Sequence, residues 1–101
     1  IVPILALGGK GVVSVLANVV PRQTHDLVMK FLQGDVMGSL KIQLELFDLV
    51  KALFIEVNPI PVKEALNLMG FNCGGYRSPL VPMEEKNREI LIAAMKKQGL
   101  L

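Results

Sequence analysis

Gly11-Val12-Val13-Ser14-Val15 is the stretch that most restricts how this chain can fold. It is β-branched and apolar on both faces, the pattern of a strand in a parallel sheet covered on both sides. No second run of this kind occurs in the 101 residues. The backbone donors and acceptors of such a strand need neighbouring strands. The chain is therefore expected to be a piece of a larger fold, with the missing strands lying before Ile1. Composition points the same way. The chain is 51% apolar, which is high for a soluble domain whose surface should be largely polar. Faces that meet the rest of a larger fold would account for the excess.

The remainder reads as helix. Val2–Leu7 suits one or two turns, with Pro3 at the start and Gly8 at the end. A helix is expected from Pro21 to Gln33, stopped by Gly34, with Leu27, Val28, Phe31 and Leu32 as its apolar stripe. The longest helix is expected from Asp35, a good N-cap, to Val57. Along it Leu40, Leu44, Phe47, Val50 and Phe54 mark one apolar face, and Ile42, Leu46, Leu49 and Leu53 a second. Asn58-Pro59 should end that helix and open another that runs to Met69, with Asn58 as its cap. A last helix, Met83 to Gln98, has Glu84 and Glu85 in its first turn and Lys96 and Lys97 in its last, complementing the helix dipole. Between the last two helices, Gly74-Gly75, Pro79 and Pro82 impose a loop. The division falls at Gly34–Asp35, with a βα unit over 1–34 and a helical domain over 35–101.

Gly8-Gly9-Lys10-Gly11 has the look of a phosphate cradle, but the order is wrong. A P-loop runs strand, glycines, helix, with Ser or Thr after the lysine; here a helix precedes the glycines and Gly11 follows Lys10. The glycines are better read as a tight turn, with Lys10 as a solvated charge. A membrane span over Ile1–Pro21 would place Lys10 near the bilayer centre at roughly 3 kcal/mol, so no membrane role is expected. A net charge of +2 with scattered basic residues gives no footprint for nucleic acid. The single cysteine, Cys73, fits a reducing compartment.

Residue chemistry alone yields no active site. His25 and Asp26 are neighbours in sequence and do not share a helix face. One His and one Cys far apart make no metal site, and no cofactor is implied. Ser14 lacks the strand-to-helix elbow of a serine nucleophile. Lys63, in the first turn of its helix beside Glu64, is expected to be solvated or paired rather than to form a Schiff base. Arg77 is expected to meet a carboxylate at a subunit contact, or water.

The strings "LGGKGVVSVLANVVP", "NPIPVKEALNLMG" and "YRSPLVPMEE" resemble the C-terminal third of the dihydrodipicolinate synthase family, in order and over essentially the whole chain. Asn58–Lys63 is the most specific part. The resemblance implies an α/β parent, a (β/α)8 TIM barrel. Gly11–Val15 would be its eighth strand, Pro21–Gln33 the helix after it, and residues 35–101 a mostly α C-terminal three-helix domain. It also implies a lyase of lysine biosynthesis that condenses pyruvate with aspartate semialdehyde. Pyruvate would be held as a Schiff base on a lysine that lies outside these residues, together with the catalytic tyrosine and threonines. This chain would then carry no catalytic residue and be inactive alone. One binding residue carries over: Val13, the middle aliphatic residue of the strand motif, which would contact the pyruvate methyl group and help to dry the pocket. The resemblance further implies a cytoplasmic homotetramer. Tyr76 and Ser78 depart from the family string, in a region expected to matter for packing. The competing reading is a free-standing helical interaction or oligomerisation module without catalysis, which would have no use for a two-faced strand.

Overall fold

The computed structural model describes residues 1–101 and contains seven helices and no strand: α1 Val2–Ala6, α2 Leu16–Val19, α3 Pro21–Leu32, α4 Val36–Glu45, α5 Phe47–Leu53, α6 Ile60–Leu68 and α7 Glu85–Lys97. They form two compact units, Ile1–Phe47 and Asp48–Leu101. No helix is long and apolar enough to cross a membrane. The strand expected at Gly11–Val15 is not formed. Residues 9–14 have no regular structure, and Val15 already caps α2. A strand exists by sharing hydrogen bonds with a neighbour, and no other segment of this chain is extended beside it.

In the first unit, α3 packs against α1, α2 and α4. The Val2 N–H donates to Gln43 Oε1 at 2.6 Å, which ties the start of α1 to α4. The glycine run is a helix stop. Gly8 turns the chain with φ +98, and the Gly9 N–H closes on the Ile4 carbonyl at 2.9 Å. A Cβ on Gly9 would stand 2.8 Å from that carbonyl oxygen, a backbone atom that has little room to yield. Asp35 caps α4, its Oδ1 accepting from Gly38 N–H at 2.9 Å. That hydrogen bond is the main reason its carboxyl titrates below the usual range, with Lys30 adding to it. Two buried hydroxyls are satisfied by backbone. Thr24 donates to Val20 O at 2.8 Å, and Ser39 to Leu27 O at 2.6 Å, from α4 to α3.

The single long helix expected from Asp35 to Val57 is broken at Leu46, and regular helix ends at Leu53. Apolar residues on two faces cannot all turn inward on one straight rod. Interrupted at Leu46, the chain buries Leu46, Leu49, Ala52 and Leu53 and leaves Leu44, Phe47 and Phe54 exposed.

The second unit packs α6 against α7. The N-cap of α6 is Pro59, not Asn58, and no side chain caps it; the Ile60 N–H goes instead to Val57 O at 3.0 Å. At the start of α7 the cap comes from a distance. Glu56 Oε2 accepts from Glu84 N–H at 3.1 Å and from Asn87 Nδ2 at 3.0 Å, which puts a carboxylate at a helix N-terminus. At the other end Lys97 Nζ meets Asp48 Oδ2 at 2.6 Å and holds the Asp48 carboxyl below the usual range. Leu91, Ala94 and Met95 form the buried stripe of α7.

Candidate functional site

Two places concentrate features that folding alone does not require. The first is the irregular segment ahead of α2. Ser14 Oγ, one residue before the Val15 cap, accepts from Ala17 N–H at 3.2 Å in the first turn of α2, which marks where the segment ends. Before it, Val13 is fully exposed, at 106% of its reference area, and touches no core. Val12 reaches a shallow apolar groove of about 270 Å³ that is also lined by Pro21, Thr24, His25 and Val28. His25 Nδ1 lies 3.2 Å from Asp26 Oδ1 on the exposed side of α3. The two therefore meet although they are adjacent in the helix. Lys10 is exposed, as a turn charge should be.

The second place is the junction of α6 with the loop that follows it. Glu64 on α6 accepts from Tyr76 OH at 3.0 Å through Oε2 and from Arg88 Nε on α7 at 2.6 Å through Oε1. Arg88 is pinned further by Glu85 at 3.9 Å. One carboxylate thus joins α6, the loop and α7. Burial, and then the bond to Glu64, pushes the Tyr76 phenol up to about 12. Asn67 grips the loop from both sides, its Nδ2 donating to Gly74 O at 3.0 Å and its Oδ1 accepting from Cys73 N–H at 2.5 Å. Lys63 Nζ donates to Gly75 O and stands 5.4 Å from the centre of the Tyr76 ring, within cation–π range. Lys63 is therefore paired, but with a backbone carbonyl and not with the adjacent Glu64. Arg77 is exposed and meets no carboxylate of this chain. Cys73 is a half-buried free thiol.

Sequence reasoning singled out Val13, Ser14, His25, Lys63, Cys73 and Arg77. The structure brings Lys63, Cys73 and Arg77 to one cavity wall and keeps Val13 and Ser14 in the first unit. It adds Glu64, Asn67 and Arg88, which no local spacing announces, since Glu64 and Arg88 are 24 residues apart. No group of three or more His, Cys, Asp or Glu side chains stands together to hold a metal ion.

Residues 1–98 match the model of the dihydrodipicolinate synthetase family. The 4-hydroxy-tetrahydrodipicolinate synthase of Lachnoclostridium phytofermentans is 62% identical over 101 residues, which is all of this chain and 34% of that protein. The solved dihydrodipicolinate synthase of Thermotoga maritima is 47% identical with a TM-score of 0.96, over 99% of this chain and 34% of that one. The chloride-inhibited enzyme of Acinetobacter baumannii, solved in complex with pyruvate, is 35% identical with a TM-score of 0.92, over 99% of this chain and 34% of that one. The chain spans about a third of the length of the curated relatives it matches. Matched by that family along nearly all of its residues, the chain belongs to the dihydrodipicolinate synthetase family.

Proposed function

We propose that these residues form the C-terminal part of a 4-hydroxy-tetrahydrodipicolinate synthase. In this reading a (β/α)8 barrel condenses pyruvate with aspartate semialdehyde by way of a Schiff base. Residues 1–34 end the barrel and residues 35–101 form the helical domain after it. The protein is a cytoplasmic homotetramer in lysine biosynthesis. The observation that carries the reading is 62% identity over the full chain to a synthase three times as long. A relative of the same fold binds pyruvate.

Val13 then lines the pyruvate pocket. In support, it is fully exposed, it lies in a strand-patterned segment without a partner, and Ser14 marks the end of that segment. Neighbouring strands would supply the missing ladder, and Val13 would present its methyl groups to the ligand. The same unpaired segment argues against a free-standing helical module.

No catalysis is expected from these residues alone. Lys10 lies in an exposed turn, and Lys63 is engaged with Gly75 O and the Tyr76 ring, so neither stands free and desolvated as a Schiff-base lysine must. Borohydride reduction in the presence of pyruvate tests this. The longer protein should trap pyruvate on a lysine outside residues 1–101, and the chain alone should trap none. A stable pyruvyl adduct on Lys10 or Lys63 would overturn the reading.

A further inference from the structure

The loop after α6 folds back and borders an open cavity of about 620 Å³ within the second unit, lined by Pro59, Lys63, Cys73, Tyr76, Arg77 and Leu80. The charged side chains on this wall are both basic. The nearest carboxylate in sequence, Glu64, is occupied by Tyr76 and Arg88 and does not line the cavity. Lys63 uses one of its three N–H donors on Gly75 O, which leaves two. The Arg77 guanidinium has all its donors unclaimed by this chain, in the fork geometry that suits a carboxylate. At the start of α6 the backbone offers no free donor. Pro59 and Pro61 have no N–H, and that of Ile60 is bound to Val57 O. Pro59, Leu80 and the Tyr76 ring supply the apolar part of the lining.

We propose that this cavity binds a small organic carboxylate. Its carboxylate lies between Lys63 and Arg77, and its carbon body rests on Pro59, Leu80 and the Tyr76 ring. The proposal goes beyond the synthase reading, and its test reads binding rather than turnover, so either can fail without the other.

Cys73 in the same wall is the reporter. The intact native protein is alkylated with iodoacetamide, an uncharged reagent, and labelling of the Cys73 peptide is followed by mass spectrometry. Succinate is the probe and succinamide its uncharged counterpart, at constant ionic strength. Succinate should slow labelling and raise the melting temperature, and succinamide should do neither. Arg77→Gln should raise the half-protecting concentration about tenfold, the loss of one charge-assisted contact. Arg77 is exposed and unpaired, so this variant should keep the native melting temperature without ligand. Lys63→Met should weaken protection too, although it also releases Gly75 O. Three results would overturn the proposal: no effect of succinate on labelling or melting, equal protection by succinamide, or unchanged protection in Arg77→Gln. A large loss of stability in Arg77→Gln without succinate binding would mean that an acidic group of the protein fills the cavity, and would overturn it as well.

Discussion

Val13 and Tyr76 show how one residue's environment decides what a substitution reports. In the chain alone Val13 is fully exposed, so Val13→Ala should change stability by no more than about 0.5 kcal/mol. In the longer synthase the same change should cost roughly 1–3 kcal/mol and weaken pyruvate use, because it opens a gap where a methyl group was packed. Denaturation midpoints of both forms, with pyruvate kinetics of the longer one, check this. Unchanged kinetics in a merely destabilised enzyme would leave Val13 as packing only. Tyr76 offers a pH test. Its phenol is raised from 10.0 to about 12, so the folded state holds the proton more tightly than the unfolded chain does. That contribution is fully present below the unfolded value and is lost as pH rises through the folded one. Tyr76→Phe should cost roughly 1 kcal/mol at neutral pH, the value of a partly exposed hydrogen bond. The gap between variant and native protein should narrow between 10.0 and about 12. Urea midpoints in the two ranges measure it, and a gap independent of pH would mean that burial and the Glu64 bond together do not raise the phenol.

The elements show what the sequence could and could not announce. α3 and α7 were legible because their ends carry local signals: Pro21 and Gly34 for one, Glu84, Glu85, Lys96 and Lys97 for the other. α2 was not, since four residues are too few for a helical period to show. The break at Leu46 has no glycine or proline to mark it and follows from burial, which is a tertiary demand. The Gly11–Val15 pattern describes neighbours that this chain does not itself supply, so it reads as strand and folds as an irregular segment. The Glu64 network was illegible for another reason, because its members come from two helices and a loop. Ser39 is a similar case. It looks like an indifferent helix residue, yet it is wholly buried and its hydroxyl joins α4 to the Leu27 carbonyl of α3. Ser39→Ala should cost roughly 1 kcal/mol for the lost bond. Ser39→Leu should cost roughly 1–3 kcal/mol or more, because the added carbons must part the two helices. Thermal melts of the three proteins give the order, and a leucine variant as stable as the alanine one would mean that α3 and α4 have room to spare.

At the scale of the molecule, the exposed apolar surface is the dominant fact. Leu7, Val13, Met37, Phe47, Val57 and Phe71 are each more than half exposed. On α4, Met37 and Leu44 lie seven residues apart with half-buried Leu40 between them, so they form a stripe and not isolated points. A soluble monomer rarely shows a contiguous apolar patch beyond a few hundred Å². Residues 9–14 add backbone donors and acceptors that lack a ladder, a template for pairing with another chain. Both features suit a chain that spans a third of the length of its relatives. Expressed alone, it should therefore self-associate or melt with little cooperativity, the more so as concentration rises. Salt should strengthen the association, because apolar contact and not charge drives it. Sedimentation velocity over a range of concentrations, with a thermal melt of the same samples, decides the matter. A compact monomer that melts cooperatively at every concentration would mean that the exposed faces and the unpaired segment are tolerated as they stand. The inference that these residues belong to a larger fold would then have to rest on the family resemblance alone.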